Sequence, residues 1–204
     1  MGDIKILSDY TDYYDKCSND NASMIYKRFM KDSMQRGKAL NTLRKLNIKT
    51  IETKSVKDLF PFAEYLVVYT NPNGHNGTGK RVVRADEAIK EYANYLSSVY
   101  HDDCDLSVKY LHIGKKRIVL QYKKNEEFSL DKGDLIDVSM AADDFNYDIK
   151  IPIFSIDYII VNDIMVATDF NEVENLKLLG IDKYCEEHEV IDLIKESILE
   201  YSKF

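Results

Sequence analysis

The stretch LSVKYLHIGKKRIVLQY, residues 106–122, decides the predicted fold of the chain. Apolar and polar residues alternate on both sides of Gly114, which is typical of two antiparallel strands joined by a tight turn. Residues 153–160 and 164–168 repeat this pattern, with Val161, Asn162 and Asp163 between them. Hairpins therefore dominate, and the long apolar runs of a parallel sheet are absent. We predict an α+β fold rather than a doubly wound α/β fold.

Helices are predicted around these hairpins, because apolar residues recur there every three or four positions. The predicted helices are residues 9–16 behind a Ser8 cap, two helices within 23–46 divided at Gly37, and residues 85–100, 172–179 and 186–202. Further strands are predicted at residues 4–7, 48–53 and 64–70, with weaker strand patterns at 127–130 and 135–139. The expected architecture is therefore antiparallel hairpins, about seven strands in all, packed with about six helices.

Length and composition indicate one domain. At 204 residues, with 45% hydrophobic and 31% charged residues, the chain can bury one core, so we expect a single α+β domain over residues 1–204. No apolar run approaches the roughly 18 residues of a membrane-spanning helix, and residues 1–10 lack the pattern of a signal peptide. The three cysteines are an odd number, which favours reduced thiols. We therefore expect a cytoplasmic protein with no membrane partner.

The net charge of −7 conceals two halves of opposite sign. The basic half, residues 1–124, carries a net charge of +7, whereas the acidic half, residues 125–204, carries −14. Residues 16–57 are the most cationic part, with 11 basic and 3 acidic side chains. Such asymmetry arises when two parts of one fold pack together, and it also occurs in nucleic-acid-binding proteins. We favour packing within the fold and keep nucleic-acid binding through residues 16–57 as an alternative.

A glycine-rich string, GHNGTGK at residues 74–80, is the strongest candidate for a ligand site. It satisfies the G-x-x-x-x-G-K spacing in which backbone N–H groups and a lysine bind phosphate, and it follows a predicted strand. The candidate phosphate-binding residues are Gly74, Gly77, Gly79, Lys80, Arg81 and Arg84. Arg81 stands where this motif needs Ser or Thr, so a different phosphate-binding loop and a plain glycine-rich connection both remain open.

Other candidate sites carry less information. Tyr13 and Tyr14 lie on a tyrosine-rich helix that could stack a nucleobase, although tyrosines at helical spacing are more often packing residues. The acidic cluster at 101–105 and the pair Cys185 and His188 are both incomplete as metal sites, so we predict no metal. The sequence holds no nucleophile motif, and it identifies neither catalytic residues nor a cofactor.

Three stretches near the two ends of the chain form a further pattern. They are KILSDY at residues 5–10 running into residues 12–15, IYKR at residues 25–28, and NLKLLG at residues 175–180. Together they resemble a family of conserved, uncharacterised proteins of tailed bacteriophages and prophages. The resemblance implies a phage origin and therefore the host cytoplasm, and it brings no activity with it.

From these observations we expect a phage-type, non-enzymatic binding protein that acts on a host protein or captures a small ligand during infection. The first alternative is a nucleotide- or phosphate-binding protein or enzyme that uses residues 74–80, and the second is nucleic-acid binding through residues 16–57. The expected partners are a host protein or a small phosphate-containing ligand, and nucleic acid is not favoured. The sequence favours a non-enzyme without deciding the question.

Overall fold

The computed structural model describes residues 36–71, 79–113, 116–126, 128–130, 133–140 and 153–171, with Glu189, Asp192 and Glu196 in helical conformation. The predicted strand at 4–7, the helices at 9–16 and 172–179, the first part of 23–46 and most of 186–202 lie outside these residues.

Three α-helices, one 3₁₀ turn and nine strands make up the described part of the chain. The helices are α1 (Arg36–Lys45), α2 (Val56–Leu59) and α3 (Ala85–Tyr92), and the 3₁₀ turn is Phe60–Phe62. The strands are β1 (Lys54–Ser55), β2 (Tyr65–Tyr69), β3 (Lys80–Arg84), β4 (Leu96–Val99), β5 (Leu106–Ile113), β6 (Lys116–Lys123), β7 (Asp134–Met140), β8 (Ile153–Val161) and β9 (Ile164–Asn171).

A four-stranded antiparallel sheet, in the order β1-β4-β2-β3, carries helices α2 and α3 on one face. Side chains alternate between the two faces of a strand, so Leu66 and Val68 of β2 point to the helices while Val67 and Tyr69 point away. A small core forms on the helical face from Val56, Leu59, Leu66, Val68, Ala85 and Ala88. The opposite face is left available for other contacts.

A five-stranded antiparallel sheet, in the order β7-β6-β5-β8-β9, forms the larger layer. Helix α1 covers one of its faces and buries Ala39, Leu40 and Leu43 against it. The sheet residues of this core are Val108, Tyr110, Val119, Phe154, Ile156, Tyr158, Val166, Ala167 and Phe170, and Ile51 joins them. Because β5 lies at the centre and pairs with both β6 and β8, it fixes the register of the whole sheet.

Two connections join the sheets. The first connection, residues 46–53, leads from α1 to β1 and passes the edge of β9. There Ile51 N donates to Ala167 O at 2.8 Å, and Ala167 N donates to Lys49 O at 2.8 Å. These bonds form a parallel bridge between Thr50 and Ala167 before the chain enters β1. The second connection, residues 100–105, returns from β4 to β5. The chain therefore crosses twice between the two layers.

The predicted α+β architecture of about seven strands packed with about six helices is wrong, since the described ranges between residues 36 and 171 are mostly antiparallel sheet, with nine strands in two sheets and three α-helices. The predicted helix at 85–100 ends at Tyr92, and Leu96–Val99 becomes a strand that pairs with both β1 and β2. Hydrogen bonding on both edges outweighs the helical spacing of its apolar residues. Residues 48–53 form a single bridge instead of a strand, and 128–130 form none.

Both predicted hairpins are present, as β5 with β6 and as β8 with β9. The strand predicted at 64–70 corresponds to β2, and the one at 135–139 corresponds to β7. No helix in the described ranges is long and apolar enough to cross a membrane.

His112 of β5 is buried in the core of the larger sheet, with 6% of its surface exposed. Its ring stacks on Phe154 with 4.6 Å between centroids, and the Tyr110 hydroxyl lies 3.3 Å from Nδ1. Nε2 has no hydrogen-bond partner in the described structure. Burial, assisted by the charge of Arg117 on the neighbouring strand, lowers the pKa of His112 to about 4. The imidazole is therefore neutral at physiological pH.

We expect acid to weaken the fold through His112. The unfolded chain binds a proton near pH 6.5 and the folded chain near 4, so stability is lost as pH falls through this interval, by at most about 3 kcal/mol. His112→Phe keeps the ring stack and removes the titrating group. Urea unfolding at pH 7 and pH 4.5 should show a smaller loss of stability in this variant than in the wild type or in the control His101→Gln. Equal losses in all three proteins would refute the assignment.

Candidate functional site

The two sheets face each other across a cleft that holds a cavity of about 170 Å³. The four-stranded sheet contributes Val67, Tyr69, Lys80, Ser98 and Val99, all from the side away from the small helical core or at the end of a strand. The five-stranded sheet contributes, among others, Ser107, Lys109, Tyr122, Asp157, Ile159 and Asp169. Residues of the linker 100–105 line one end. The cleft is therefore built from both layers.

The wall from the four-stranded sheet offers hydroxyl groups and one lysine. The Tyr69 hydroxyl and Ser98 Oγ lie 2.9 Å apart, and both residues are buried. Lys80 pairs directly with Tyr69 across the β2–β3 ladder, at the start of the edge strand β3. This pairing brings the lysine side chain to the same face as the hydroxyl pair.

An ion pair with a buried lysine marks the wall from the five-stranded sheet. Lys109 and Asp157 are direct cross-strand partners on β5 and β8. Lys109 Nζ lies 2.6 Å from Asp157 Oδ1, and only 3% of the lysine side chain is exposed. Nζ also donates to Ser155 Oγ at 3.2 Å. A lysine this deeply buried requires such partners, because an unpaired buried charge is strongly unfavourable.

Asp169 and Asn171 of β9 extend this polar row to the edge of the sheet. Asp169 is the direct cross-strand partner of Asp157, and Asn171 Nδ2 donates to Asp157 Oδ2 at 3.3 Å. Lys80 Nζ lies 3.8 Å from Asp169 Oδ2, which makes an ion pair between the two sheets. Two carboxylates, an amide and two lysines therefore meet at one end of the cleft.

This donor set suits a divalent cation bound together with phosphate. The described ranges contain no group of three or more His, Cys, Asp and Glu side chains arranged for a metal. Mg²⁺, however, commonly takes one or two carboxylates and completes its shell with phosphate oxygens and water. Asp157 and Asp169, with the side-chain oxygen of Asn171, meet that requirement. The fit depends on a phosphorylated ligand, since the protein oxygens alone are too few.

Aromatic residues gather at the opposite end, around the linker. Tyr100 stacks on Phe128 with 5.7 Å between centroids, and Phe128 also contacts Tyr65 at 4.8 Å. Lys124 Nζ lies 5.0 Å from the centre of the Tyr100 ring and 3.5 Å from its hydroxyl. Together with Ile159 and other apolar residues of the cleft, this end offers flat, apolar surface with one cation at its rim.

Cys104 lines the cleft but is not a nucleophile. Its Sγ donates to the Ile160 carbonyl oxygen at 2.8 Å, and the residue is buried. Burial, followed by the negative charge of Asp103, raises the pKa of the thiol to about 11. Since the thiolate is the reactive form, this side chain is inert near neutral pH.

Of the candidate ligand residues from the sequence, some line the cleft and others lie outside it. Lys80 lines the cleft, and Gly79 precedes it with φ of +74°. Arg81 and Arg84 are exposed and do not line the cleft, and Arg84 Nε donates to Asp86 Oδ1 at 3.2 Å. The residues of the prediction that lie outside the described ranges are Gly74, Gly77, Tyr13 and Tyr14. The phosphate-binding role of this set stays a prediction.

Sequence reasoning missed the acidic and basic residues of the strands. Lys109, Asp157 and Asp169 each interrupt a strand whose neighbours are mostly apolar, and this was the available signal. A charged residue on the buried face of a predicted strand needs a partner, but the hairpin registers set Lys109 opposite Leu120 and Asp157 opposite Asp169, so neither hairpin alone supplies the opposite charge.

Part of the predicted nucleic-acid segment is occupied within the fold. Arg44 donates from Nε to Thr50 Oγ1 at 2.7 Å and from one terminal nitrogen to the Ile51 carbonyl at 3.0 Å. Lys54 Nζ lies 2.7 Å from Glu52 Oε1. Binding of nucleic acid through residues 16–57 stays a prediction.

Comparison with known proteins gives a fold. No family model matches the chain, and no curated protein matches it. Among solved structures, the RiPP-associated ATP-grasp ligase of Chryseobacterium gregarium, in complex with ADP and a leader and core peptide, matches with a TM-score of 0.58 and 12% identity, over 87% of this chain and 61% of that one. D-alanine–D-alanine ligase from Bacillus anthracis complexed with ATP matches with a TM-score of 0.52 and 14% identity, over 83% and 66%.

The macrocyclase MdnC of Microcystis aeruginosa, bound to the precursor peptide MdnA, matches with a TM-score of 0.52 and 12% identity, over 81% of this chain and 60% of that one. The chain thus spans about two thirds or less of the length of these structures. At such identities the likeness establishes the fold, which resembles that of the ATP-grasp ligases.

This likeness overturns the expectation of a non-enzymatic phage protein that acts on a host protein. The similar structures are two ligases and a macrocyclase, and the two ligases contain ATP or ADP. They favour the first alternative, a nucleotide-binding enzyme, and a phosphate-containing ligand is the part of the predicted partners that they support. The phage origin stays a prediction, because no comparison tests it.

Gly79 should be required for the geometry of Lys80. A Cβ at this position would lie 2.5 Å from Asn71 Cβ and 3.0 Å from Asn71 N, and the positive φ adds backbone strain. We expect Gly79→Ala to lower the free energy of unfolding by about 1–3 kcal/mol. Gly37→Ala is the matched control, since Gly37 is helical with nothing within 4 Å, and it should be neutral or stabilising. Urea unfolding of the three proteins tests this, and an unchanged Gly79→Ala would contradict it.

Proposed function

We propose that the chain is an ATP-dependent enzyme whose nucleotide binds in the cleft between the two sheets. The observation that carries this proposal is the meeting of two ion pairs in that cleft. Lys109 pairs with Asp157 within the five-stranded sheet, and Lys80 of the four-stranded sheet pairs with Asp169 of the five-stranded sheet. Lysines and carboxylates in this arrangement suit a phosphate chain and its divalent cation.

The register of the strands supports one direction for the proposed nucleotide. On the five-stranded sheet, Tyr122, Ser107 and Ile159 are cross-strand neighbours near the linker, and the charged row begins two residues further along β5. On the facing sheet, Tyr100 N donates to Tyr65 O at 3.0 Å, which sets both tyrosines at the linker end. Lys80, the first residue of β3, pairs with Tyr69 at the end away from the linker. The base belongs at the aromatic linker end and the phosphates at the lysine end.

The two lysines would contact the phosphates from opposite sides. Lys109 is held rigidly by Asp157 and Ser155, so its charge is already positioned and little side-chain entropy is lost on binding. Lys80 is 22% exposed and approaches from the edge strand of the other sheet. A phosphate chain between them makes charge-assisted bonds to both layers.

Asp157, Asp169 and Asn171 would hold the divalent cation. Such a cation neutralises the charge that builds up on the phosphates during transfer. Asn171 now holds Asp157 through its amide nitrogen, so its side chain would turn to present the oxygen to the cation. Asp169 exchanges its contact with Lys80 for the cation.

Ligase chemistry follows from the fold likeness as a proposal. The similar structures are named for D-alanine or contain peptides, so amino acids or peptides are the class of second substrate that we propose. ATP binding itself can be tested before that substrate is known.

Lys109→Met should weaken ATP binding about tenfold or more, because it removes a charge-assisted contact contributing about 1.5–3 kcal/mol. Isothermal titration calorimetry with ATP and Mg²⁺ measures the change, and thermal melting checks that the variant is folded. Lys123→Met is the control, since Lys123 is exposed on the neighbouring strand β6. A wild-type chain that binds no nucleoside triphosphate at millimolar concentration would refute the proposed function, and so would equal losses in both variants.

Asp169→Asn should weaken ATP binding only when a divalent cation is present. The change removes one anionic ligand while keeping the size of the side chain, so ATP affinity should fall in Mg²⁺ and stay the same or rise in EDTA. The rise is expected because a negative charge near the phosphates is lost. Asp163→Asn, in the exposed β8–β9 turn, serves as the control. Equal effects of Asp169→Asn with and without Mg²⁺ would exclude a role in cation binding.

A further inference from the structure

The two ion pairs of the cleft differ in kind. Lys109 and Asp157 are 2.6 Å apart in one sheet, and the lysine side chain is 3% exposed. Lys80 and Asp169 are 3.8 Å apart and belong to different sheets, with 22% and 20% of their side chains exposed. In the first pair the lysine is enclosed although the Asp157 side chain is 30% exposed, whereas in the second pair the distance is longer and both side chains, the lysine included, are reachable by solvent. Only the second can be exchanged without disrupting a sheet.

We propose that Lys80 is a built-in counter-cation that occupies Asp169 until a nucleotide draws it away, so that the divalent cation site forms only with the nucleotide. The inference rests on the proposed function and adds to it that the cation site depends on bound nucleotide. The phosphates take the Lys80 ammonium group, and Asp169 is thereby released to a divalent cation. The cation alone meets a carboxylate that is already neutralised.

The charges of the two ion pairs support this exchange. Lys80, Lys109, Asp157 and Asp169 together carry no net charge, and a further lysine lining the cleft, Lys124, lies beside Tyr100 at the linker end. A divalent cation alone would give this group a charge of two, and it would have to compete with a lysine of the protein. A nucleotide alone would add several negative charges beside two carboxylates. Together the two ligands offset each other, so each should raise the affinity for the other, and by the same factor.

The positions of the lysines decide which of them moves. Lys109 is anchored in the central strand and bonded to Ser155 as well as to Asp157. Lys80 lies on an edge strand directly after Gly79, whose positive φ marks the end of the β2–β3 connection. Displacing Lys109 would break the contacts of a buried lysine inside the sheet, whereas displacing Lys80 exchanges its contact with Asp169 for contacts with phosphate. Lys80 is therefore the group that is exchanged.

The test uses Mn²⁺ as the probe, in the full chain and without nucleotide. Electron paramagnetic resonance of free Mn²⁺ gives the Kd for wild type, Lys80→Met, Lys80→Arg and Arg81→Met. Lys80→Met should bind Mn²⁺ roughly tenfold more tightly than wild type, within the usual range of coupling between two sites. Lys80→Arg keeps the charge and should match wild type. Arg81→Met removes an exposed charge of the same sign one residue away and should change the Kd little.

A second measurement completes the cycle. In wild type, saturating ATP should raise Mn²⁺ affinity, and in Lys80→Met this enhancement should shrink by about the factor gained without ATP. Lys80→Gln repeats both measurements with a polar side chain, so the test stands even where the methionine variant is poorly folded.

The possible failures are distinguishable. A wild-type chain that binds no ATP in the presence of Mn²⁺ would defeat both the proposed function and this inference. The wild type could bind ATP while Lys80→Met and Lys80→Gln leave the Mn²⁺ affinity without nucleotide unchanged. That result would overturn the proposed exchange by Lys80 and leave the proposed function standing. An equal gain of Mn²⁺ affinity in Arg81→Met would also overturn it, since the effect would then come from net charge.

Discussion

The buried contact between Lys109 and Asp157 is the constraint on which the larger sheet depends. A charged lysine at the centre of a five-stranded sheet is tolerated only beside an anion, so β5 and β8 must pair in the register that sets these two residues opposite each other. A slip of one residue would turn Lys109 toward α1 and its apolar core. The same pairing puts Asp157 in the cleft, and the pairing of β8 with β9 sets Asp169 beside it. Register and site geometry are therefore fixed together.

Local sequence patterns were sufficient to predict the two hairpins of the larger sheet. Alternating residues around Gly114 and around 161–163 predict β5 with β6 and β8 with β9, since neighbouring strands need only a turn to meet. Neither pattern reveals that β5 also pairs with β8. The segment 96–99 has helical spacing and becomes a strand only because β1 and β2 lie on its two sides. The site escaped prediction for the same reason, because Lys80 and Asp169 meet through the packing of two sheets.

The glycine-rich string directed attention to Lys80, whose phosphate-binding role stays a prediction. Its spacing pointed to Lys80, which does line the cleft. The motif behind that inference places the lysine at the start of a helix, whereas here Lys80 begins an edge strand. A side chain on a strand stands roughly perpendicular to the sheet, so the partner of Lys80 comes from the facing layer. The cleft thus unites groups that each sheet presents separately.

Lys109 also has a consequence during synthesis of the chain. The strand LSVKYLHI is otherwise rich in apolar and β-prone residues, and its partner Asp157 is made only later. At about 5–20 residues per second, the nascent β5–β6 hairpin waits seconds for β8. A charge in the middle of such a strand opposes stacking against other chains in that interval, as gatekeeper residues do. The residue that is expensive to bury in the finished sheet therefore protects the unfinished one from aggregation.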